Sequence, residues 1–231
     1  MALDAVVADA FGRGADVFWN AGDLVGYGPE PDAVAATLRA LGARSVRGNH
    51  DAAAIGGIGV EHFNPLAAAA IRWTETTLRA DTAEYLRSFP ETLRVEPVTL
   101  VHGTLRDPLW EYLETYDDAR AHFARQDTWL SVTGHTHRPV LIYEHPQGDV
   151  TSRLAPIGEP CPLDQTGRWC INPGSTGQPR DGDPRASYAI LDLAQATITY
   201  LRVTYDIAAT QQRMRELGLA EPHIARLAVG R

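Results

Sequence analysis

Five residues of metal-ligating type stand beside glycines in one chain order. Asp23 follows Gly22, Asn49 follows Gly48, His102 precedes Gly103, and His135 follows Gly134 with His137 two residues on. One carboxylate, one carboxamide oxygen and three imidazoles make a borderline-hard N/O donor set. Such a set suits Mn, Fe, Co, Ni or Zn rather than Ca or a thiolate-bound ion. A carboxylate can bridge two such ions, and ions ~3.5–4 Å apart activate water and clamp a phosphate together. Glycine beside each donor allows the tight turns and close backbone approach that a crowded polar site needs. Singly, each signal is weak: Gly-Asp after a strand is an ordinary turn, and a lone histidine is usually a satisfied polar group. Gly48-Asn-His-Asp51 and Gly134-His-Thr-His137 are more specific, and four such signals in order argue for a site. In extended backbone, the i, i+2 spacing of His135 and His137 points both imidazoles the same way. The other histidines, His62, His122, His145 and His223, lack a glycine-flanked strand end and are left outside.

The elements around these residues follow from periodicity. Leu3, Val6, Val7, Ala10 and Phe11 form one helical stripe that Gly12 and Gly14 end. Asp16–Ala21 reads as a short buried strand. A helix follows Pro31, with Val34, Leu38 and Leu41 on one face, and Ser45–Arg47 is a second strand. This alternation belongs to a layered α/β fold, in which ligands collect past the carboxyl ends of strands. Asn64–Leu86 is helical by period. Short strands are then expected at Val98–Val101, Trp129–Thr133, Val140–Tyr143, Trp169–Ile171, Tyr188–Leu193 and Ile198–Val203, forming a largely antiparallel second sheet. Glu144–Arg168 reads as loop or hairpin, Glu111–Asp118 as a solvated helix face or loop, and Asp206–Leu217 as a surface helix. The expected architecture is α/β, a two-sheet β-sandwich flanked by helices, in a single domain over 1–231.

The 231 residues are 44% hydrophobic and 22% charged, which places the chain in the globular class. The net charge is −8 and every basic residue is arginine. A basic footprint for nucleic acid or an anionic membrane is absent at the whole-chain level. No apolar run approaches 18 residues and the first residues lack a signal-peptide layout, so the expected location is cytoplasmic. Cys161 and Cys170, without a CxxC partner, are expected to be free buried thiols.

The order of motifs resembles the calcineurin-like metallophosphoesterases, specifically their small bacterial phosphodiesterase branch. Gly22-Asp-Leu-Val-Gly-Tyr-Gly-Pro29, Gly48-Asn-His-Asp51, Val101-His-Gly103 and Gly134-His-Thr-His137 carry the resemblance. Phe63-Asn-Pro65 with Trp73-Thr74, and Asn172–Arg180, add to it. The resemblance implies a four-layer α-β-β-α sandwich that hydrolyses a small phosphate ester or diester by in-line attack of metal-activated water. It makes Asp23 the bridging carboxylate, with Asn49, His102 and His135 completing one metal site and His137 serving the other. His50 becomes the general acid and, with Asn49, a phosphate contact. The implied cofactors are divalent transition metals, Mn first and Fe, Zn, Ni or Co as alternatives, binuclear in the family. Arg180 and Tyr27 are candidate substrate contacts, and Arg106 and Trp110 further candidates for the mouth. For Arg180, a loop salt bridge with Asp181 or Asp183 is the competing reading. Trp73 and Trp129 read as core.

Two departures from the family pattern bear on these expectations. No Asp-x-His, the family's source of ligands to the second ion, occurs upstream of Asp23. The expectation is that Met1 is an internal methionine with translation starting upstream; a shortened chain or a degenerate relative, serving as a binding scaffold with one metal or none, is the alternative. Gly26 and Tyr27 also stand where the protein phosphatases of this superfamily carry Asp and Arg. That disfavours a protein-phosphatase activity and favours a diester or small phosphate substrate.

Overall fold

The computed structural model describes residues 1–154 and 156–231. The helices are α1 (Ala2–Gly12), α2 (Pro31–Ala40), α3 (Asn49–Ala54), α4 (Pro65–Thr77), α5 (Ala80–Arg87), α6 (Tyr116–Phe123), α7 (Ile207–Glu216) and α8 (Glu221–Ala225). The first strands are β1 (Trp19–Asn20), β2 (Arg44–Ser45), β3 (Thr92–Val95), β4 (Val98–Val101), β5 (Leu130–Val132) and β6 (Pro139–Glu144). They are followed by β7 (Val150–Leu154), β8 (Cys161–Pro162), β9 (Arg168–Pro173), β10 (Ala186–Asp192) and β11 (Thr197–Val203). Among the described residues, no helix is long and apolar enough to cross a membrane.

Alternation of side chains along the strands builds the layers. A six-stranded sheet runs in the order β3-β4-β5-β9-β6-β7, and a three-stranded sheet in the order β10-β11-β8. Leu141, Tyr143, Trp169 and Ile171 face inward from β6 and β9 and meet Ile198 and Tyr200 of β11 in the main core. The intervening residues, Ile142 and Cys170, face the other way and pack under Ala119 and Phe123 of α6. Outside the smaller sheet, Ala186, Tyr188 and Leu201 bury Val6 and Ala10 of α1. The result is mixed α/β: helix, sheet, sheet, helix. Cys161 and Cys170 are free and buried.

The sequence suggested one largely antiparallel second sheet; its strands instead divide between the two sheets, with β10 and β11 in the smaller one, and the larger sheet is mixed. β3–β4 and β9–β6–β7 pair antiparallel, but β4–β5 and β5–β9 are parallel. The cause is the segment between β4 and β5, read as helix face or loop. It contains α6, a crossover that lets consecutive strands run the same way. α6 is capped by Thr115, whose hydroxyl accepts the Asp118 N–H while the Asp118 carboxylate accepts the Thr115 N–H. The Asn64–Leu86 helix is also two helices. Thr74, Thr76 and Thr77 turn their hydroxyls onto the carbonyls of Ala70 and Trp73, and Leu78 is extended. The Arg79 N–H then leaves the helix for the Asp32 carboxylate. Within Glu144–Arg168, β7 returns along β6 as a hairpin.

A buried polar chain links α6 to the sheet. His122 Nδ1 accepts the Leu105 N–H at 3.1 Å, and its Nε2–H donates to Ser131 Oγ at 2.8 Å. The Ser131 hydroxyl donates to Gln126 Oε1, and Gln126 Nε2 donates to the carbonyls of Thr128 and Trp169. This arrangement has no place for a second imidazole proton. Burial pushes His122 down to about 4, with Arg168 lowering it further and Glu111 raising it. The folded chain thus binds this proton less readily than the unfolded one. His122's contribution to stability is complete above pH 6.5 and is lost as pH falls toward 4, by about 3 kcal/mol. In urea titrations at stepped pH, H122N should lose this part of the acid sensitivity because an amide oxygen can replace Nδ1 without titrating. Parallel pH profiles for the two proteins would refute the assignment.

Candidate functional site

β1 and β2 pair in parallel, as do β4 and β5. The carboxyl ends of these four strands lead into the loops bearing Asp23, Asn49, His102 and His135. Gly22 and Gly48 permit the convergence. A Cβ on Gly22 would stand 2.6 Å from His102 Nδ1 and 2.8 Å from the Gly48 nitrogen. One on Gly48 would fall on the Asp23 carboxylate.

Asp23, His102 and His135 each offer a ligand atom, and these atoms lie within 4.8 Å of one another. Their orientations are set from behind. His102 Nδ1–H donates to the Ala21 carbonyl at 2.8 Å, and His135 Nε2–H donates to the Trp110 carbonyl at 3.1 Å. The remaining nitrogens, His102 Nε2 and His135 Nδ1, therefore face each other as lone pairs at 3.0 Å. Asp23 Oδ2 is 3.4 Å from His102 Nε2. Burial pushes both imidazoles down to about 4, and neutral imidazole is the form that ligates. Asn49 Oδ1 is buried without a hydrogen-bond partner. Two facing lone pairs, a carboxylate and an unpartnered amide oxygen on the next loop are the donors a divalent cation would satisfy, so the residues fit a metal ion.

His137 does not join this cluster. His135 and His137 have φ of 60° and 58°, left-handed and not extended, so the expected shared direction of their rings does not arise. Asp23 is left-handed too, with φ 55°. Such backbone is costly for residues with a side chain and concentrates at functional sites. Asn172 holds the turn, its amide donating to the Gly134 carbonyl and Thr136 Oγ1. His137 Nδ1–H donates to the Gln178 carbonyl at 2.8 Å, which leaves Nε2 as its lone-pair atom.

His50 is buried at the start of α3, and its N–H donates to Asp23 Oδ1 at 3.0 Å. Its ring stacks on Tyr27, centroids 3.9 Å apart. His50 Nδ1 has no hydrogen-bond partner, and a Cβ on Gly26 would lie 2.7 Å from it. Among the described residues, no carboxylate is hydrogen-bonded to this imidazole's Nδ1. Tyr27 donates its hydroxyl to Asp23 Oδ2 at 3.2 Å, and burial and that carboxylate push the phenol well above its ordinary range. Arg180 reaches Tyr27 Oη at 3.3 Å.

Sequence reasoning missed several contributors. Asp51, fully buried, accepts the N–H of Val25 and of Gly48 and so ties the Asp23 loop to the Asn49 loop. Burial and the Asp23 charge push its carboxyl up to about 7. Its place in Gly48-Asn-His-Asp51 was the available signal. His62 and His223, set aside for want of a flanking glycine, line the cavity of about 240 Å³ together with Asn49, His50, His135 and Arg180. The Phe63-Asn-Pro65 stretch beside His62 was the available signal there, and nothing near His223 in sequence announces its place. Arg106 is occupied by Glu111 and Asp118 and does not line the cavity. Arg180 does line it, and among the described residues it makes no ion pair with Asp181 or Asp183, which Arg202 and Arg185 engage.

With this geometry in view, comparison with known proteins is specific. The calcineurin-like phosphoesterase superfamily domain matches residues 1–196. An uncharacterized protein of Methanocaldococcus jannaschii is 35% identical over 237 aligned positions, covering 100% of this chain and 93% of that protein. The crystal structure of a metallophosphoesterase from Sphaerobacter thermophilus is 45% identical, with a TM-score of 0.87 over 100% of this chain and 94% of the other. A hypothetical protein from Pyrococcus horikoshii shares the fold at 18% identity, TM-score 0.78, covering 100% of this chain and 93% of its own. The chain belongs to the calcineurin-like phosphoesterase superfamily.

Proposed function

We propose that this chain is a metal-dependent phosphodiesterase acting, as a single domain in the cytoplasm, on a small phosphate diester. The observation that carries the reading is the set of ligand atoms on Asp23, His102 and His135, brought within 4.8 Å of one another, with both imidazoles tied back through their N–H groups so that their lone pairs face each other. Divalent ions, Mn²⁺ first, would supply Lewis-acid charge against the phosphoryl oxygens and activate a water when bound. Asp23, His102 Nε2, His135 Nδ1 and Asn49 Oδ1 would hold one ion, and His137 Nε2 would serve a second. His50 donates a proton or hydrogen bond to the leaving oxygen from the cavity wall. Arg180, anchored to Tyr27, offers its planar guanidinium to a phosphoryl oxygen. Gly26 and Tyr27, in place of the phosphatases' Asp and Arg, support a diester over a phosphoprotein. The two unpaired thiols suit a reducing compartment.

The position of His137 outside the cluster favours a second reading, a binding scaffold with one ion or none. Elemental analysis after Mn²⁺ loading and desalting, paired with turnover assays, separates the two. About two ions per chain, with bis(p-nitrophenyl) phosphate cleaved faster than p-nitrophenyl phosphate, is the expected result. One ion or fewer without turnover of either ester under Mn²⁺, Ni²⁺, Co²⁺ or Zn²⁺ would leave the scaffold.

A further inference from the structure

Three parts of the site meet at Tyr27. Its hydroxyl donates to Asp23 Oδ2 at 3.2 Å and accepts from the Arg180 guanidinium at 3.3 Å, and its ring stacks on His50. The loop that carries it has little of its own to hold it. Residues 26–29 belong to no helix or strand, and among the described residues they make no backbone–backbone hydrogen bond. Gly26, at φ 94°, and Gly28 flank Tyr27 and add conformational freedom rather than restraint. A phenol can steer a carboxylate only if the backbone bearing the phenol is itself fixed.

That restraint comes from the far end of the chain. His223 Nε2–H donates to the Tyr27 carbonyl at 3.1 Å, and no other described residue hydrogen-bonds to that carbonyl. The two rings lie nearly parallel, 10° apart in plane with centroids at 6.0 Å. His223 is buried, and burial first of all lowers its pKa, with the charges of Arg226 and Arg180 acting the same way. The ring is thus held neutral, its one N–H committed to Tyr27. α8 is anchored independently of this contact. Ile224, the next residue, is fully buried in an apolar cluster with Met214 and Leu227, and the Gln211 amide of α7 donates to the Ile224 carbonyl at 2.9 Å. His223 also lies beyond residues 1–196, the part matched to the family domain.

We propose that His223 is a positioning residue for the Asp23 centre, acting through Tyr27 by fixing the phenol against the Asp23 carboxylate and the ring against His50. This rests on the Asp23 centre being where phosphorus reacts. His223 lines the cavity, so direct contact with substrate is the rival role. The two differ in their dependence on Tyr27: a substrate contact works without it, whereas a residue acting through it has no effect once it is gone.

A double-mutant cycle on the Mn²⁺-loaded protein tests the proposal. H223L keeps the bulk of the side chain and removes the donor, and should lower kcat for bis(p-nitrophenyl) phosphate about tenfold with KM changed less than about twofold. H223Q, whose amide replaces the Nε2–H, should recover most of that loss. In a Y27A background, adding H223L should cost less than about a further twofold. I224V, which thins the apolar cluster under α8 and leaves His223 in place, should lower Tm and keep kcat within about twofold of the parent. Losses that multiply in the double variant, a rise in KM with kcat unchanged, or a kcat loss in I224V equal to that in H223L would overturn the positioning role. Calorimetric Mn²⁺ affinity, measured on the same four proteins of the cycle, needs no turnover. It should fall about tenfold in H223L and show the same dependence on Tyr27; unchanged affinity in H223L would also overturn the role. A parent protein that binds Mn²⁺ but cleaves no ester would count against the proposed function while the affinity cycle still decides on His223.

Discussion

Replacing Asp23 by Asn should lower turnover of bis(p-nitrophenyl) phosphate by about 10³-fold, about 4 kcal/mol of activation free energy, without unfolding the protein. The substitution keeps an oxygen to accept the His50 N–H and keeps the shape of the side chain. Asn tolerates the left-handed backbone at φ 55° at least as well as Asp. What it removes is the negative charge, the one anionic donor in a cluster otherwise built from neutral imidazoles and an amide oxygen. Retained metal should fall in the same variant, read by elemental analysis after desalting. Stability should move the other way. Asp23 and the fully buried Asp51 are two carboxyls whose charges oppose one another. Removing one relieves that repulsion, so the metal-free variant should melt at or above the temperature of the metal-free parent. A variant that keeps more than a tenth of parental turnover with its metal would remove Asp23 from the centre.

Gly48→Ala is expected to be nearly as damaging, by a different route. Gly48 has φ −90° and ψ 173°, a conformation alanine adopts freely, so conformational preference predicts no harm. The contact predicts otherwise, because the new Cβ would coincide with the Asp23 carboxylate and press on its backbone nitrogen. Both loops are pinned, since Asp51 accepts N–H groups from Gly48 on one side and Val25 on the other. The clash cannot be absorbed by one flexible side chain. The expected cost is roughly 1–3 kcal/mol of stability, as for other overpacked sites. Turnover should drop by about 10²-fold, the scale of a 1 Å misplacement of reacting groups. Gly12→Ala, at a helix end with nothing within 4 Å, is the control and should be neutral or mildly stabilising. Thermal melts and kcat on the same preparations decide it. Unchanged values for Gly48→Ala would mean the loops are looser than their hydrogen bonds indicate.

Residue types and spacing were enough for the parts that are local in cause. Apolar spacing set α1 and α2, because a helix must bury one face. The glycine-flanked motifs marked the strand-end turns, because donors can crowd together only where a neighbour lacks a side chain.

Features that depend on distant partners came from packing between remote elements. The parallel pairing of β4 with β5 follows from where the α6 crossover packs, against Ile142 and Cys170. The break between α4 and α5 depends on Asp32, 47 residues before the N–H it accepts. His135 and His137 part company because Asn172, Gln178 and the Trp110 carbonyl fix a left-handed turn that no local preference selects. Arg106 looked like a mouth residue until Glu111 and Asp118 closed around it. His223 and Arg226 reach the cavity only because α8 docks on the Tyr27 carbonyl, almost two hundred residues away along the chain. Side-chain chemistry is written locally, but which groups share a cavity is set by packing between elements that are remote in sequence.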